Sequence, residues 1–332
     1  MKAYITLDYE LFMGKNVGTI KNCLIDPMNA LTKMLDNYGI KCNIFVDAAY
    51  LLRLYQLKNE FKQIEEQYEL LTKHIQYLSK QGHAIQLHFH PQWLYSMYNN
   101  GWKMDFEHYK ISDMPKRDIE TLLPQAIELL QLYSINKIDA FRAGGYSFPN
   151  EKQFLDILRR YSIQIDTSVL KGAKVESKFQ TYDYLRIPSI SPYNFEDNLS
   201  ISNHKGFFTE YPISTIKMIG YKYWFLKRTL NRHYNTLSGS SKYGDGCGIG
   251  IPGGIFEHIK NKINRLITFS VIPATIDGVL SLYLENVYKH NYSKNYSNPF
   301  VIIGHPKNMS EKSIKIFEDF IIKHKEMEFC LF

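Results

Sequence analysis

The chain is poor in cysteine, lacks long apolar runs and has no concentrated block of basic residues. Its four cysteines, among 332 residues, show no short paired spacing, which argues against a four-cysteine zinc site and against a disulfide scaffold. No apolar run approaches the ~20 residues that a transmembrane helix needs. The N-terminus shows no n-region, h-region or cleavage site of a secretory signal. Together these features predict a cytoplasmic protein with free thiols.

The charge distribution argues against nucleic-acid binding. The net charge of +7 is modest for this length, and DNA or RNA recognition would need a clustered basic face with a recognisable motif. One stretch, residues 217–232, mixes aromatic residues with Lys and Arg. It leaves open a weak contact with a membrane surface. The alternative is an ordinary helix whose aromatic side chains pack on the protein.

The order of strand and helix patterns predicts an α/β fold. Apolar strands alternate with amphipathic stretches, which is typical of βαβ units and a parallel sheet. Seven or eight strands without a linker predict a single domain over residues 1–332, folded as a distorted (β/α) barrel. Its C-terminal half is decorated over about residues 215–295. Helices are predicted at about 26–38, 59–80, 116–133, 150–161, 274–289 and 310–325, further strands at 184–190 and 207–213, and loops at 93–115 and 238–254.

The stretch from Gly82 to Trp93 (GHAIQLHFHPQW) has the pattern of a buried strand that ends in a His-x-His pair. Side chains at positions i and i+2 of a strand share one face, so His88 and His90 can point at one common spot. Two imidazoles that meet in this way suit a divalent metal ion. The alternative for this motif alone is a pair of ordinary histidines at a strand end.

The first strand of the chain (AYITLDYE) ends in two acids, Asp8 and Glu10. They are also two residues apart, so both carboxylates would project from one face of the strand. In a metal hydrolase two adjacent carboxylates can have different roles: one stays ionised as a metal ligand, and the other takes a proton from water as the general base. The alternative is a solvated loop start.

Three further strands end in chemically active residues. The apolar run IIGH ends at His305, the run AFR ends at Arg142, and the run IQID ends at Asp166. In parallel α/β folds, sites are built at the carboxyl ends of the strands. The five strand ends therefore predict one shared cleft that holds Asp8, Glu10, His88, His90, Arg142, Asp166 and His305.

Taken in their order along the chain, the motifs resemble those of the polysaccharide deacetylases of the NodB homology group (carbohydrate esterase family four), in particular a cytoplasmic branch met in cell-surface polysaccharide synthesis. All five family motifs have counterparts here, from about residue 3 to residue 306. The resemblance implies a partial, seven-stranded (β/α) barrel and a divalent metal cofactor, for which zinc is the first candidate. It also implies removal of an N-acyl group from an amino sugar in lipopolysaccharide or capsule biosynthesis.

The resemblance assigns roles to the acids and histidines. Asp8 is implied as the base and Glu10 as a metal ligand, but one residue separates acids that are adjacent in the family, and the two roles are interchangeable. The family has two metal histidines four residues apart. His88 matches the first, whereas the second position holds Gln92 and His90 lies between them. Either His90 or Gln92 would complete the metal site, and an imidazole is the better ligand.

The remaining roles follow from the other three motifs. Arg142 matches the family arginine that orients the base, Asp166 matches an Asp at a strand end, and His305 matches the histidine that acts as general acid. Tyr146 follows Arg142 with altered spacing, where the family has a backbone N–H that helps to hold the oxyanion. We predict that Tyr146 and Trp93 contact the sugar.

Two other functions stay open. The altered spacing of the two metal histidines would also suit a catalytically impaired relative that binds a sugar or a partner without turnover. A different metal-dependent hydrolase of the same barrel type, acting on a non-sugar amide or on a glycosidic bond, is the other alternative. The predicted partner is an N-acetylated sugar that is nucleotide-linked, lipid-linked or oligomeric. The sequence does not determine the sugar, the acyl group or the oligomeric state.

Overall fold

The structure, a computed structural model, describes residues 1–249, 269–294 and 297–332. Its strands are short and mostly apolar, as expected for strands buried on both faces of a parallel sheet. In chain order they are β1 (Lys2–Tyr9), β2 (Asn43–Asp47), β3 (Ala84–Phe89), β4 (Met97–Tyr98), β5 (Trp102–Lys103), β6 (Ala140–Ala143), β7 (Ile165–Asp166), β8 (Lys174–Glu176), β9 (Thr181–Asp183), β10 (Tyr193–Phe195), β11 (Phe208–Glu210), β12 (Thr215–Ile219), β13 (Phe269–Pro273), β14 (Phe300–Gly304) and β15 (Glu328–Cys330).

Within the described ranges, nine of these strands form one curled sheet in the order β10-β11-β7-β6-β3-β2-β1-β14, and β15 pairs beside the start of β1. All neighbours along this order are parallel except β10 and β11. The order begins at β10 and ends at β14, so the described strands form a partial barrel. This confirms the predicted α/β class and distorted barrel. β1 lies within this sheet and not at its edge, because it pairs with both β2 and β14.

Helices cover the sheet and bury their apolar stripes against it. They are α1 (Asp26–Asp36), α2 (Ala48–Leu57), α3 (Lys62–Lys80), α4 (Gln92–Tyr95), α5 (Lys116–Gln131), α6 (Lys152–Arg160), α7 (Gly220–Thr236), α8 (Leu284–Lys294) and α9 (Glu311–Lys323). A π-helical turn at Lys21–Ile25 and 3₁₀ turns at Ile111–Asp113, Gly144–Tyr146, Gly278–Tyr283 and Pro306–Asn308 complete the helical segments. No helix within the described ranges combines the length and apolar character needed to cross a membrane.

Most predicted elements appear within a few residues of their expected bounds, but three differ. The predicted helix at 59–80 begins at Lys62, and α2 before it was not predicted, because its almost entirely apolar sequence has no helical stripe. Residues 184–190 form turns and not a strand. The predicted helix at 274–289 begins only with the 3₁₀ turn at Gly278, since Ala274 and Ile276 are extended and hydrogen-bonded to Ile303 of β14.

The region predicted as a decoration lies beside the main sheet. β12 and β13 form a separate antiparallel pair, and α7 follows β12 directly. Residues 238–249 contain neither helix nor strand, as predicted for this glycine-rich and serine-rich stretch. The rest of that predicted loop, residues 250–254, lies outside the described residues. The predicted loop at 93–115 is mostly irregular but includes most of α4 and the short pair β4 and β5.

Candidate active site

The carboxyl ends of five neighbouring strands, β14, β1, β2, β3 and β6, meet at one edge of the sheet. The register places His88 beside Asp47 of β2 and beside Arg142 of β6. A cavity of about 500 Å³ opens above this edge. The acidic, basic and imidazole side chains that line it are Asp8, Glu10, His88, His90, His305 and Lys307.

Among the described residues, one group could hold a metal ion. Glu10, His88 and His90 each offer a ligand atom, and these atoms lie within 4.8 Å of one another. Glu10 Oε2 is 2.6 Å from His90 Nε2 and 3.2 Å from His88 Nε2. The backbone N–H of His90 donates to Asp47 Oδ1 at 3.2 Å, which fixes the chain at this residue. Gly144 is required beside the ring, because a Cβ there would lie 2.7 Å from His90 Nδ1.

The hydrogen bonds of His88 test whether a cation fits this group. His88 Nδ1 lies 2.7 Å from the carbonyl oxygen of Arg142, so this nitrogen carries the proton and donates it. In a neutral ring Nε2 is then a lone-pair acceptor, and it faces Glu10 Oε2, another acceptor. Two acceptors that face each other need a cation between them, either a proton or a metal ion. A backbone carbonyl on the far imidazole nitrogen is also the usual support of a metal-binding histidine. The residues present therefore fit a divalent metal.

The second oxygen of Glu10 is held by a lysine. Lys307 Nζ donates to Glu10 Oε1 at 2.9 Å and to the carbonyl of Leu11 at 2.7 Å. Burial alone would raise the pKa of Glu10, but Lys307 and His90 together hold it well below its usual range. Glu10 is thus ionised, with Oε2 directed to the imidazoles and Oε1 to the ammonium group.

The other acid of the pair, Asp8, contacts an arginine. Arg142 is completely buried, and its guanidinium donates to Asp8 Oδ1 at 2.6 Å and to the Thr6 hydroxyl at 2.7 Å. Its Nε donates to the carbonyl of Thr167 at 2.9 Å. Burial raises the pKa of Asp8, but Arg142 and then His88 lower it, and the result lies far below the ordinary value. Asp8 is therefore an ionised carboxylate with a fixed orientation.

His305 lies between two carboxylates. Its Nε2 is 3.4 Å from Asp8 Oδ2, and its Nδ1 is 2.6 Å from Asp277 Oδ2. The other oxygen of Asp277 accepts the backbone N–H of His305 at 2.7 Å. Burial would lower the pKa of His305, but Asp277 and then Asp8 raise it to about 10. The imidazole is thus protonated at neutral pH, beside an ionised Asp8.

Aromatic rings form much of the cavity wall. Tyr109, Tyr146 and Phe179 line it, and the ring of Tyr109 lies 5.7 Å from that of His90. Tyr146 has a φ of +61°, a left-handed conformation that is strained for a tyrosine. The hydroxyl of Tyr184 donates to the carbonyl of Tyr146 at 2.7 Å and holds this turn in place. Flat aromatic walls next to charged groups are typical of small-molecule sites.

Two residues that follow the His-x-His pair, Trp93 and Gln92, do not reach the cavity. The side chain of Trp93 is completely buried, and its ring packs 4.5 Å from Tyr50 and 5.2 Å from Trp102. The prediction that Trp93 contacts a sugar is therefore wrong, since α4 turns this ring into the core. Gln92 is also completely buried and does not line the cavity. His90, and not Gln92, lies with His88 and Glu10.

Asp166 is the one predicted acid that the structure separates from the cleft. Its carboxylate accepts from the Ser168 backbone at 2.9 Å and from the Ser168 hydroxyl at 2.8 Å. On the neighbouring strand, Glu210 pairs in register with it. Burial and then Asp166 raise the pKa of Glu210 well above its ordinary value. Asp166 thus lies beside another carboxyl under the sheet edge and not in the cavity, which corrects its placement in the cleft.

Four residues near the reactive groups were not predicted: Asp277, Lys307, Tyr109 and Phe179. Lys307 follows His305 by two residues, and this spacing could have suggested that it shares the cleft. Asp277 belongs to a segment that was predicted as a helix, and an acidic residue on a helix does not by itself indicate a functional site. Tyr109 and Phe179 lie in irregular segments, for which the sequence contains no positional signal.

Comparisons with known proteins give similarity of fold only at low identity. No family model matches the chain, and no curated protein matches it. A structure from Mycobacterium smegmatis, assigned as a polysaccharide deacetylase, aligns with a TM-score of 0.45 and 13% identity over 90% of this chain and 70% of that one. Puue allantoinase aligns with a TM-score of 0.49 and 11% identity over 98% of this chain and 85% of that one. A GH57-type branching enzyme from Pyrococcus horikoshii aligns with a TM-score of 0.45 and 10% identity over 99% of this chain and 69% of that one. These alignments establish no activity for this chain.

Proposed function

We propose that this protein is a metal-dependent hydrolase that removes the N-acyl group from an amino sugar. The observation that carries the proposal is the meeting, in one cavity, of a Glu/His/His donor group with a carboxylate and an imidazole outside that group. The donors are Glu10, His88 and His90, and the other two groups are Asp8 and His305. Together they supply ligands, a base and an acid, which is what amide hydrolysis at a metal centre requires.

Glu10, His88 and His90 would hold the metal. Imidazole nitrogen with one carboxylate oxygen suits zinc and other first-row divalent ions, so zinc is the first ion to test. When bound, the metal would act as a Lewis acid on the acyl carbonyl and lower the pKa of water. In this assignment Glu10 is the ligand and Asp8 is not, because only Glu10 faces both imidazoles.

Asp8 would act as the general base. Arg142 contacts Asp8 through Oδ1, which leaves Oδ2 directed towards His305, and the guanidinium keeps Asp8 ionised. His305 would act as the general acid and protonate the leaving amine. Asp277 holds the imidazole through Nδ1, so Nε2 is the atom that gives up the proton. An ionised base and a protonated acid 3.4 Å apart are the protonation states that the first step of hydrolysis needs.

The cavity walls and the sequence resemblance suggest the substrate. Tyr109, Tyr146 and Phe179 line the cavity and would provide aromatic rings on which a sugar stacks. The resemblance is to enzymes of cell-surface polysaccharide synthesis, so we propose an N-acetylated sugar intermediate of lipopolysaccharide or capsule assembly. We also propose that residues 1–332 act as one catalytic unit, with the region of about 215–295 as its decoration.

The test combines metal analysis with acetate release. Purified protein is expected to bind one zinc or similar ion, and His88→Ala should lose it. With metal added, the protein should release acetate from at least one member of a panel of nucleotide-linked, lipid-linked and oligomeric N-acetyl sugars. Asp8→Asn and His305→Ala should each lower kcat by about 10²–10⁴-fold while the metal is retained.

His108→Ala is the matched control, because His108 pairs with Asp105 at 3.2 Å outside the cavity. Its activity should equal that of the unmodified protein. Inactivity across the whole panel with metal bound would contradict the proposal and favour a sugar-binding protein without turnover. Loss of the metal in Asp8→Asn, with retention in Glu10→Gln, would reverse the assignment of base and ligand.

A further inference from the structure

Helix α7 presents aromatic side chains to the outside. Tyr221, Trp224 and Phe225 are 48%, 40% and 62% exposed. Their spacing places them on one face of the helix. Phe269, which is 66% exposed, pairs in register with Ile219 just before the helix and extends the same end. We call Tyr221, Trp224, Phe225 and Phe269 the aromatic patch.

The aromatic patch is not the packing face of α7. The opposite face packs on the protein through the partly buried Tyr223, Leu226 and Leu230, and Tyr234 near the C-terminus is buried and contacts the Ser310 hydroxyl. The helix is therefore anchored by one apolar face and still exposes a second. Large apolar rings that remain exposed on an anchored helix indicate an interaction surface.

Basic residues surround the aromatic patch. The chain contains no Asp or Glu from Tyr211 through Gly244, whereas this span includes Lys217, Lys222, Lys227, Arg228, Arg232 and Lys242. Lys222, Arg228 and Arg232 are exposed, and within the described ranges they form no ion pair. Arg228 and Arg232 continue the outward stripe of the helix beyond Phe225, and the Arg228 guanidinium lies 5.9 Å from the Trp224 ring centroid.

We propose that α7 and the aromatic patch dock on an anionic membrane surface. Aromatic rings with Lys and Arg around them are the composition of helices that lie in the interfacial plane of a bilayer. The rings would enter the headgroup boundary, and the basic groups would lie at the level of the lipid phosphates. Phe225 and Phe269 favour a lipid surface over an acidic protein or a nucleic acid, because they are the most exposed rings and have no polar edge.

This docking stands apart from the proposed hydrolase activity, since it is measured without substrate. The full chain should cosediment with vesicles rich in phosphatidylglycerol and not with vesicles of phosphatidylcholine alone, and added salt should release it. Trp224 should change its fluorescence on binding, because it is 40% exposed in the patch, whereas Trp93 is completely buried and Trp102 packs on Trp93 and Tyr98.

Two double variants test the two components of the surface. Arg228→Gln with Arg232→Gln should weaken binding roughly 25-fold, at about five-fold per charge. Trp224→Ser with Phe225→Ser should weaken it at least as much. The controls remove equal groups elsewhere: Lys152→Gln with Arg160→Gln for charge, and Leu132→Ser with Ile135→Ser for exposed apolar area (72% and 66% exposed). Both controls should bind like the unmodified protein.

Four results would overturn the proposal. They are absence of binding to the anionic vesicles, equal binding to phosphatidylcholine, equal weakening by the controls, and retention on heparin without vesicle binding. Thermal unfolding adds a fifth, because the substitution of truly exposed rings should leave the melting temperature unchanged. A clear drop in Trp224→Ser with Phe225→Ser would show that the patch packs against the protein itself.

Discussion

Replacing Lys307 with Met should destabilise the metal-free protein far more than the metal-bound protein. The side chains of Lys307 and Glu10 are only 10% and 7% exposed. Removing one partner of a buried ion pair usually costs about 3–5 kcal/mol. The carboxylates around His88 raise its pKa, so this imidazole can take up a proton and restore part of the lost positive charge. We therefore expect about 3 kcal/mol, at the lower limit of that range. For a chain of this length the melting temperature should fall by roughly 5 °C.

With zinc bound, the metal supplies the positive charge that Glu10 needs. The loss should then shrink to about 1 kcal/mol, the usual net value of a hydrogen bond. By linkage, the difference of about 2 kcal/mol appears as a roughly 30-fold gain in zinc affinity for the Lys307→Met variant. Urea unfolding in excess EDTA and in saturating zinc measures the two stabilities, and calorimetric titration measures the affinity.

Lys242→Met is the matched control for this experiment. Both ammonium groups lie near the Phe12 ring, at 4.8 Å for Lys242 and 5.2 Å for Lys307, but Lys242 donates to the Gly246 carbonyl. The control should leave the zinc affinity unchanged. Equal destabilisation of Lys307→Met with and without zinc would refute the reasoning, because the lysine would then contribute packing and not charge.

Three further predictions concern the surroundings of the site. Asp277→Asn should lower kcat by about 10²-fold and leave the zinc affinity unchanged. The substitution leaves His305 without its main partner and brings the pKa of that imidazole below 10. An unchanged kcat, together with an unchanged pKa of His305 by NMR titration, would argue against this role. The raised pKa of Glu210 means that its contribution to stability is full below about pH 4.5 and is lost as the pH rises through the folded value. Glu210→Gln should therefore be more stable than the unmodified protein by about 1 kcal/mol at pH 7 but not at pH 4, and parallel unfolding curves at both pH values would be inconsistent with this. Tyr109→Ala should raise KM whereas Trp93→Phe should lower only the melting temperature, because Tyr109 lines the cavity and Trp93 lies in the core.

Sequence patterns predicted the parts of this protein that depend on chain periodicity. A strand places residues i and i+2 on one face, and parallel strands end at one edge, so the proximity of Asp8, Glu10, His88 and His90 follows from simple geometry. His305 joined them because the same pattern of an apolar run before a polar residue recurs there. These are local rules that need no knowledge of tertiary contacts.

The parts that could not be predicted depend on contacts between distant segments. Asp277 reaches His305 because residues 274–277 run extended beside β14 and not as a helix, which local propensity did not reveal. Trp93 and Asp166 have the same sequence context as residues that do line the cavity. Only the turn of α4 and the pairing of Asp166 with Glu210 direct them elsewhere.

The position of β1 has a consequence for how the protein is made. This first strand pairs with β14, nearly 300 residues later, and the Thr6 hydroxyl donates to the Ile302 carbonyl at 2.8 Å. At about 5–20 residues per second, a ribosome would need roughly 15–60 s to reach that partner. During this interval one edge of an apolar strand has no partner, and the reactive groups of the two chain ends are apart. The cavity therefore forms late in synthesis, and the unpaired edge of β1 is the site at which we expect a chaperone to bind.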